Sequence, residues 1–237
     1  MPPFMIVEPM ARRPNSDAEL NGLLRARGQR ATFHRLVIHR AVRMLSHHAR
    51  AGFMPAVPLP QAPLSDGVVA LRPLRPEDAG AVIHASQDPD IARWTRLPTL
   101  PRERDARDFM DDAERDRKAG RGINLAVVLD ADTAFAGSIA LDCDWEHRKG
   151  EIGYWITPAV RGQHVGTRAV RLIARWAFDE LGLERLELLS DPENEPSRRL
   201  ALRAGFTSEG LLRAYRPSSS GREDLLMFSL LPTDPST

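Results

Sequence analysis

The stretch that decides the fold is GYWITPAVRGQHVGTR, residues 153–168. It predicts a strand, then a turn rich in backbone N–H groups, then the start of a helix. The first N–H groups of a helix have no acceptor within it, and the helix dipole adds partial positive charge there. Glycines let the backbone approach an anion that a Cβ atom would hold away. We therefore predict that Arg161–Thr167 forms a pocket for a pyrophosphate group.

A helix follows this turn. Its apolar residues recur with the spacing of one helical face, and Gly182 is the kind of residue that ends a helix. Next, Arg185–Ser190 predicts a strand, residues 191–194 a turn, and Ser197–Ala204 a short helix. The residues of the apolar face are Val170, Ile173, Ala174, Ala177, Phe178 and Leu181.

Several segments, in this order along the chain, resemble the motifs of the GCN5-related N-acetyltransferases (GNAT). RGQHVG at 161–166 is similar to the acetyl-CoA motif Gln/Arg-x-x-Gly-x-Gly/Ala of that family. The other matching segments are LRPLRPED at 71–78, EIGYW at 151–155, Asn194 with Ser197, AGF at 204–206, GLLR at 210–213 and DLLMFSLL at 224–231. The resemblance points to the RimJ/RimL-like branch, the ribosomal-protein N-terminal acetyltransferases, and covers about residues 65–234.

The resemblance implies an α/β fold of the α+β type, with a central mixed, mostly antiparallel sheet flanked by helices. The pattern of the residues agrees with it, giving the order β-α-α-(α)-β-β-β-α-β-α-β-β. The elements predicted ahead of the turn are a strand at Val68–Leu74, a charged helix at Arg102–Ala119, a hairpin of Ile123–Leu129 with Thr133–Leu141, and a strand at Glu151–Thr157.

The reaction that the resemblance implies is transfer of the acetyl group of acetyl-CoA, as co-substrate, to a primary amine by direct attack, without a metal. The amine belongs to a protein N-terminus or to a small molecule. A backbone N–H at the end of the fourth strand would polarise the thioester carbonyl. The residues assigned in this way to acetyl-CoA are Ile156, Thr157, Arg161, Gly162, Gln163, His164, Val165, Gly166, Thr167 and Asn194.

Two residues are candidates for proton transfer. Glu151 is the candidate general base; the alternatives are ordered water as base and a carboxylate that only pairs with arginine. Many family members supply the acid from a tyrosine at the position of Ala201 here, so that acid is absent. The RimL-like branch offers Ser197 instead, whose alternative role is to start a helix. Asn194 either contacts the amide of the cofactor or caps its own turn.

Three further residues are candidates for the acceptor site. A separate residue, His164, departs from the acetyl-CoA motif. Tyr154 and Trp155 alternate across a strand, so one is expected in the core and the other at the acceptor groove; the sequence does not decide which, and Trp155 is named as the candidate. Tyr215 and Arg216 lie in a predicted polar loop that ends at Gly221. His164 replaces the middle glycine of the motif, at a cost on the order of 1 kcal/mol if φ is positive there. The simplest interpretation is a tolerated substitution pointing to solvent; a degraded site is the alternative.

The N-terminal quarter differs from the rest of the chain. Residues 1–60 hold nine arginines and three acidic residues, a formal charge of +6, whereas the remainder carries −5. Residues 54–63 are rich in proline, which predicts a stiff, extended linker outside the core. We therefore predict a basic, helix-rich extension at 1–53, a linker at 54–64 and the acetyltransferase domain at 65–237.

Residues 23–42 weakly resemble the start of ferric-uptake-regulator-type winged-helix repressors. No recognition helix and no metal ligands follow them, so specific DNA binding is not expected. The rival to an enzyme is a non-catalytic module that binds acyl-CoA, or that associates with nucleic acid through the basic arm. A homodimer is left open by the sequence.

Length and composition indicate the number of domains and the cellular compartment that the sequence favours. The sequence has 237 residues, 42% of them hydrophobic, enough for one large domain with an extension. No apolar run approaches the length of a membrane span, and none follows the N-terminus as in a signal peptide. The single cysteine, Cys143, cannot form an internal disulfide; it fits a reducing cytoplasm and a packing role.

Overall fold

A computed structural model describes residues 55–95, 97, 100, 102–130, 133–218 and 221–235. The strands in this part are β1 (Leu64–Ser65), β2 (Val69–Pro73), β3 (Gly122–Leu129), β4 (Phe135–Asp144), β5 (Lys149–Ile156), β6 (Arg185–Ser190), β7 (Thr207–Ser218) and β8 (Gly221–Leu230). The α-helices are α1 (Ala79–Ser86), α2 (Pro89–Trp94), α3 (Glu103–Lys118), α4 (Val165–Asp179) and α5 (Glu195–Arg203), with 3-10 turns at Pro76–Asp78 and Pro158–Val160.

The eight strands form one sheet in the order β1-β2-β3-β4-β5-β6-β8-β7. All neighbours are antiparallel except β5 and β6, which are parallel. This confirms the predicted fold, a mixed and mostly antiparallel sheet flanked by helices. The short β1 is an addition to the predicted order.

The main core lies between α4 and one face of the sheet. The predicted apolar face of α4 is buried at Val170, Ile173, Ala174 and Ala177, while Phe178 and Leu181 pack at its margin. Full burial of a valine or isoleucine side chain such as Val170 or Ile173 contributes about 1.5–3 kcal/mol. The strand residues of the same cluster alternate along each strand, as one face requires; they include Leu71, Leu125, Ile139, Leu141, Ile152, Leu186, Leu188 and Phe228.

Part of the predicted linker belongs to the domain. Val57 has 0% of its surface exposed and lies in the main core cluster. Its N–H donates to the carbonyl of Arg117 at 2.9 Å, and its carbonyl accepts from the Arg117 guanidinium at 2.7 Å. The expectation that this stretch stays outside the core is therefore wrong at Val57, because a stiff extended segment can insert one apolar side chain. Residues 1–54 lie outside the described residues, so the division into extension, linker and domain stays a prediction.

The prediction of a polar loop from Tyr215 to Gly221 is also wrong. Tyr215 and Arg216 lie in β7, which pairs with β8 as far as the Ser218–Gly221 register. Arg216 forms an ion pair with Glu223 across the hairpin. β7 is at the edge of the sheet, where polar side chains face water and the missing N–H of Pro217 costs no ladder bond.

Among the described residues, none of the helices is both long and apolar enough to span a bilayer.

Candidate active site

The candidate site begins where two strands part. β5 and β6 pair only from Lys149–Glu151 to Arg185–Glu187. β5 continues to Ile156 and β6 to Ser190, and no further pairing joins them in the described part of the chain. The facing edges hold backbone donors and acceptors that an extended ligand can satisfy as an added strand would.

At the end of β5, the backbone hydrogen-bonding groups of successive residues point alternately toward β4 and toward the gap. The N–H of Thr157 donates to the carbonyl of Ala136 at 2.9 Å. Because antiparallel residues alternate in the direction of their hydrogen bonds, the N–H and C=O of Ile156 point away from β4, toward the gap. Of the two residues predicted at the end of this strand to contact acetyl-CoA, Ile156 therefore has an N–H available to a ligand, whereas the N–H of Thr157 is used within the sheet.

The predicted anion turn lies at the mouth of this gap. The chain leaves β5 through the Pro158–Val160 turn, and α4 begins at Val165, so the last three residues of the predicted turn Arg161–Thr167 form the first turn of the helix. In the described residues, the backbone N–H groups from Gly162 to Thr167 have no acceptor in hydrogen-bonding geometry. Six free donors next to the positive end of the α4 dipole suit the oxygens of a pyrophosphate.

His164 keeps the backbone shape that the motif needs. It is the N-cap of α4, with φ 60° and ψ 9°, and its side chain is exposed. The loop therefore has a left-handed residue at this position, and the histidine adopts that conformation at a cost of about 1 kcal/mol. Gly162, two residues earlier, also has a positive φ of 79°.

The absence of a side chain at Gly166 allows close packing of its neighbours. A Cβ atom built on it would lie 2.6 Å from Leu200 Cδ1 and 3.3 Å from Ile156 Cγ1. The missing side chain thus leaves room for α5 and β5 against the first turn of α4. This packing role adds to the predicted one, in which the glycine lets the backbone approach the anion.

The Arg161 side chain is held by α2. Its guanidinium contacts Asp88 Oδ1 at 2.8 Å and Asp90 Oδ2 at 3.0 Å, and its Nε donates to the carbonyl of Ile156 at 3.1 Å. Asp88 also caps α2 by accepting the N–H of Ile91. The hydrogen bond from Arg161 lowers the pKa of Asp88. The turn is therefore tied to α2 by the residue that the motif assigned to acetyl-CoA.

The candidate acid, Ser197, has a partner that the sequence did not indicate. Asn194 caps α5 by accepting the N–H of Ser197 at 3.1 Å, the capping alternative for this asparagine. The hydroxyl of Tyr154 donates to Ser197 Oγ at 2.9 Å. Burial raises the pKa of Tyr154 to about 12, so the phenol stays protonated at neutral pH. The strand and the helix thus bring two hydroxyl groups together beside the part of β5 that continues beyond its pairing with β6.

Trp155 occupies the other face of β5. Only 8% of its surface is exposed, and its ring lies 5.7 Å from that of Phe135 between centroids. Trp155 is therefore buried beside Phe135 on one face of β5, whereas Tyr154 packs against the main core on the other face, beside Ser197. A role of Trp155 in acceptor binding stays a prediction.

Glu151 lies apart from Ser197. It is the last residue of β5 that pairs with β6, opposite Glu187, and it is half-buried. Side chains alternate along a strand, so Glu151 and Tyr154 leave β5 on opposite faces. The structure does not bring the candidate base and the candidate acid to the same face of the sheet, and the role of Glu151 stays a prediction.

The hairpin with Tyr215 and Arg216 projects toward the same end of the sheet. β8 pairs with β6 up to the Leu226–Ser190 register, and the hairpin continues beyond it. Because β5 and β6 are parallel, this is also the end at which Ile156 leads into the anion turn. Contact of Tyr215 or Arg216 with an acceptor stays a prediction.

Comparisons with known proteins show the family to which the chain is similar. Residues 69–207 match the family model described as an acetyltransferase (GNAT) domain. YdaF of Bacillus subtilis strain 168, provisionally named a ribosomal N-acetyltransferase, is 30% identical over 168 residues, which cover 69% of this chain and 91% of that protein. The spermidine N(1)-acetyltransferase of Escherichia coli K12 is 29% identical over 145 residues, 61% of this chain and 75% of that one.

A solved structure of RimJ from Mycobacterium smegmatis, in complex with CoA-disulfide, superposes with a TM-score of 0.64 at 25% identity. It covers 74% of this chain and 89% of that one. The winged-helix likeness of residues 23–42 finds no support, since the family match begins at residue 69.

Proposed function

The chain belongs to the GNAT family of acetyltransferases, and on this basis we propose that it transfers the acetyl group of acetyl-CoA to a primary amine by direct attack in a ternary complex. The observation that carries the proposal is the run of free N–H groups from Gly162 to Thr167 beside the gap between β5 and β6. The acceptor is a protein N-terminus or a small amine; the named relatives include one of each kind. A cytoplasmic setting, which the single cysteine favours, is part of the proposal.

The gap fits the chemistry of acetyl-CoA. Free N–H groups at the start of α4 would hold the pyrophosphate. The unpaired edge of β5 would hold the amides of the pantetheine arm, as one strand holds another. The side chain of Asn194 already caps α5. This favours the edge of β5, and not Asn194, as the main partner of the pantetheine arm.

The roles of the protein groups follow from this placement. The amine must lose a proton as it attacks, and Glu151 or ordered water would accept it. The N–H of Ile156, which faces the gap, would stabilise the oxyanion of the tetrahedral intermediate. Ser197 would donate a proton to the departing sulfur.

The test is an acceptor screen that measures CoA release by a thiol reagent. One arm uses short peptides with a free N-terminus, matched to the same peptides with a blocked N-terminus; another uses spermidine and its analogues. Cys143 should not interfere, because burial, with a smaller effect of Asp142, raises the pKa of its thiol to about 12. Thiol release that depends on a free amine supports the proposal. Binding of acetyl-CoA without turnover on any amine would favour the non-catalytic module.

A further inference from the structure

Tyr154 and Ser197 are 43 residues apart in the chain and 2.9 Å apart at their hydroxyl oxygens. Tyr154 leaves β5 on the face that packs on the core, and its ring lies against that cluster. Ser197 is in the first turn of α5, where its N–H is held by Asn194. Both ends of the contact are therefore fixed by regular structure, so the phenol is aimed at the serine.

The direction of the hydrogen bond decides what Ser197 can do. A serine hydroxyl has one proton to donate and two lone pairs to accept with. Tyr154 donates into one lone pair, which leaves the serine proton free for another acceptor. A donor on Ser197 Oγ also stabilises the negative charge that develops on that oxygen when its proton leaves, and hydrogen bonds in such a chain strengthen each other.

Tyr154 is not the proton source itself. Its pKa is raised by burial to about 12, and a tyrosinate in this environment is costly. Its hydroxyl therefore remains a donor throughout the pH range in which an amine can be acetylated. A group that stays protonated and always points at Ser197 is suited to orient the serine.

We propose that Tyr154 is a positioning residue that makes Ser197 the proton donor to the sulfur of CoA. This rests on the proposed acetyl transfer. As the C–S bond of the tetrahedral intermediate breaks, its electron pair goes to sulfur and the Ser197 Oγ proton passes to sulfur, giving the free thiol. The proton that the amine nitrogen loses returns to Ser197 through solvent. Tyr154 keeps its proton and its hydrogen bond during the exchange.

The first experiment is a double-mutant cycle on turnover with Tyr154→Phe, Ser197→Ala and the double variant. Phenylalanine keeps the ring and removes only the hydroxyl. We expect kcat of Tyr154→Phe to fall roughly tenfold, as for loss of one hydrogen bond to a developing charge, with KM for acetyl-CoA unchanged within about twofold. In the Ser197→Ala background the second substitution should change kcat no further. An unchanged kcat in Tyr154→Phe, or a full tenfold loss on top of Ser197→Ala, would overturn the proposal.

The second experiment needs no acceptor. Free CoA is bound to each variant, and the pKa of its thiol is followed by the ultraviolet absorbance of the thiolate across a pH range centred on about 8.5. A proton donor beside sulfur stabilises the thiolate, so this pKa should be lowest in the unmodified protein and should rise in Ser197→Ala and in Tyr154→Phe. The same thiol pKa in all three proteins would refute the role of both residues while leaving acetyl transfer standing. Failure of the unmodified protein to bind CoA would instead refute the proposed function and this inference with it.

Ser138→Ala is the matched control. Ser138 is buried, and its hydroxyl donates to Asn124 Oδ1 at 2.5 Å, with the carbonyl of Leu125 as a more distant acceptor at 3.2 Å. Removing it also deletes a buried hydroxyl and its hydrogen bonds, so it should lower stability. It should leave kcat and the pKa of bound CoA unchanged, whereas a general loss of packing would change them here as well.

Discussion

Arg161 and Asp88 form an ion pair of 2.8 Å that joins the anion turn to the first turn of α2. Asp90 adds a second contact at 3.0 Å. The pairing shows that Arg161, the first residue of the acetyl-CoA motif, has its charge satisfied by protein carboxylates. Its contribution to cofactor binding is therefore expected to be indirect, through the position of the turn.

The prediction is that Asp88→Asn with Asp90→Asn weakens acetyl-CoA binding several-fold, measured by calorimetry. Asparagine at 88 still caps α2, so the helix is kept while the ion pairs are lost. Glu193→Gln is the control, because it breaks the exposed Arg93–Glu193 pair, and exposed pairs contribute little. Tighter acetyl-CoA binding in the double variant would show that the freed Arg161 side chain goes to the phosphates.

Acetyl-CoA should stabilise the protein against unfolding. Ligand linkage gives about 2.7 kcal/mol at a hundredfold excess over Kd, which thermal and urea denaturation can detect. Gly166→Asp should abolish this gain and should also lower stability without ligand, because its Cβ atom would meet Leu200 and Ile156. A variant that is as stable as the unmodified protein in the absence of acetyl-CoA would show that position 166 faces the ligand only.

Substitutions at His164 should separate backbone strain from chemistry. Its φ of 60° is tolerated by glycine and strongly disfavoured for β-branched residues. We expect His164→Val to lower the free energy of unfolding by about 1–2 kcal/mol, and His164→Gly to change it by less than about 1 kcal/mol, since relieved strain is offset by a more flexible unfolded chain. Urea denaturation measures both. Equal stability of the two variants would contradict the left-handed conformation.

Glu209 gives a pH dependence with a defined sign. Hydrogen bonds from Arg185 and then Ser229 lower its pKa to about 2. A depressed pKa in the folded state stabilises the protein above the ordinary value of about 4.5, and this contribution is lost as the pH falls toward 2. The stability difference between the unmodified protein and Glu209→Gln should therefore shrink over that window in urea denaturation. A difference that is constant from pH 7 to pH 3 would contradict it.

Local pattern was enough to predict the strand, turn and α4 of the site. The long-range contacts that hold these elements against the rest of the site were not predictable from the sequence. Arg161 meets Asp88 across 73 residues of chain, and Tyr154 meets Ser197 across 43. Such contacts depend on how α2 and α5 pack beside β5, which no local periodicity encodes. The far end of β7, predicted as a polar loop from Tyr215, was misassigned for a related reason, since an edge strand exposed to water lacks the apolar alternation that identifies a strand.

The last prediction concerns where the folded domain begins. Removing residues 1–54 should leave acetyl-CoA binding and turnover intact, whereas removing 1–62 also deletes Val57, which is fully buried and held by two hydrogen bonds to Arg117. The longer deletion should cost at least the burial of one valine, about 1.5–3 kcal/mol, and Val57→Ala in the full chain should show part of this loss by urea denaturation. Equal stability of the two deletions would contradict the placement of Val57.

The same two deletions test whether the basic N-terminal residues bind nucleic acid. Retention of nucleic acid at low salt should disappear in both deletions, because the charge of +6 lies in residues 1–60 and electrostatic binding needs no base contacts. Binding of the full chain to one DNA sequence that survives about 200 mM salt would show instead that this segment reads bases.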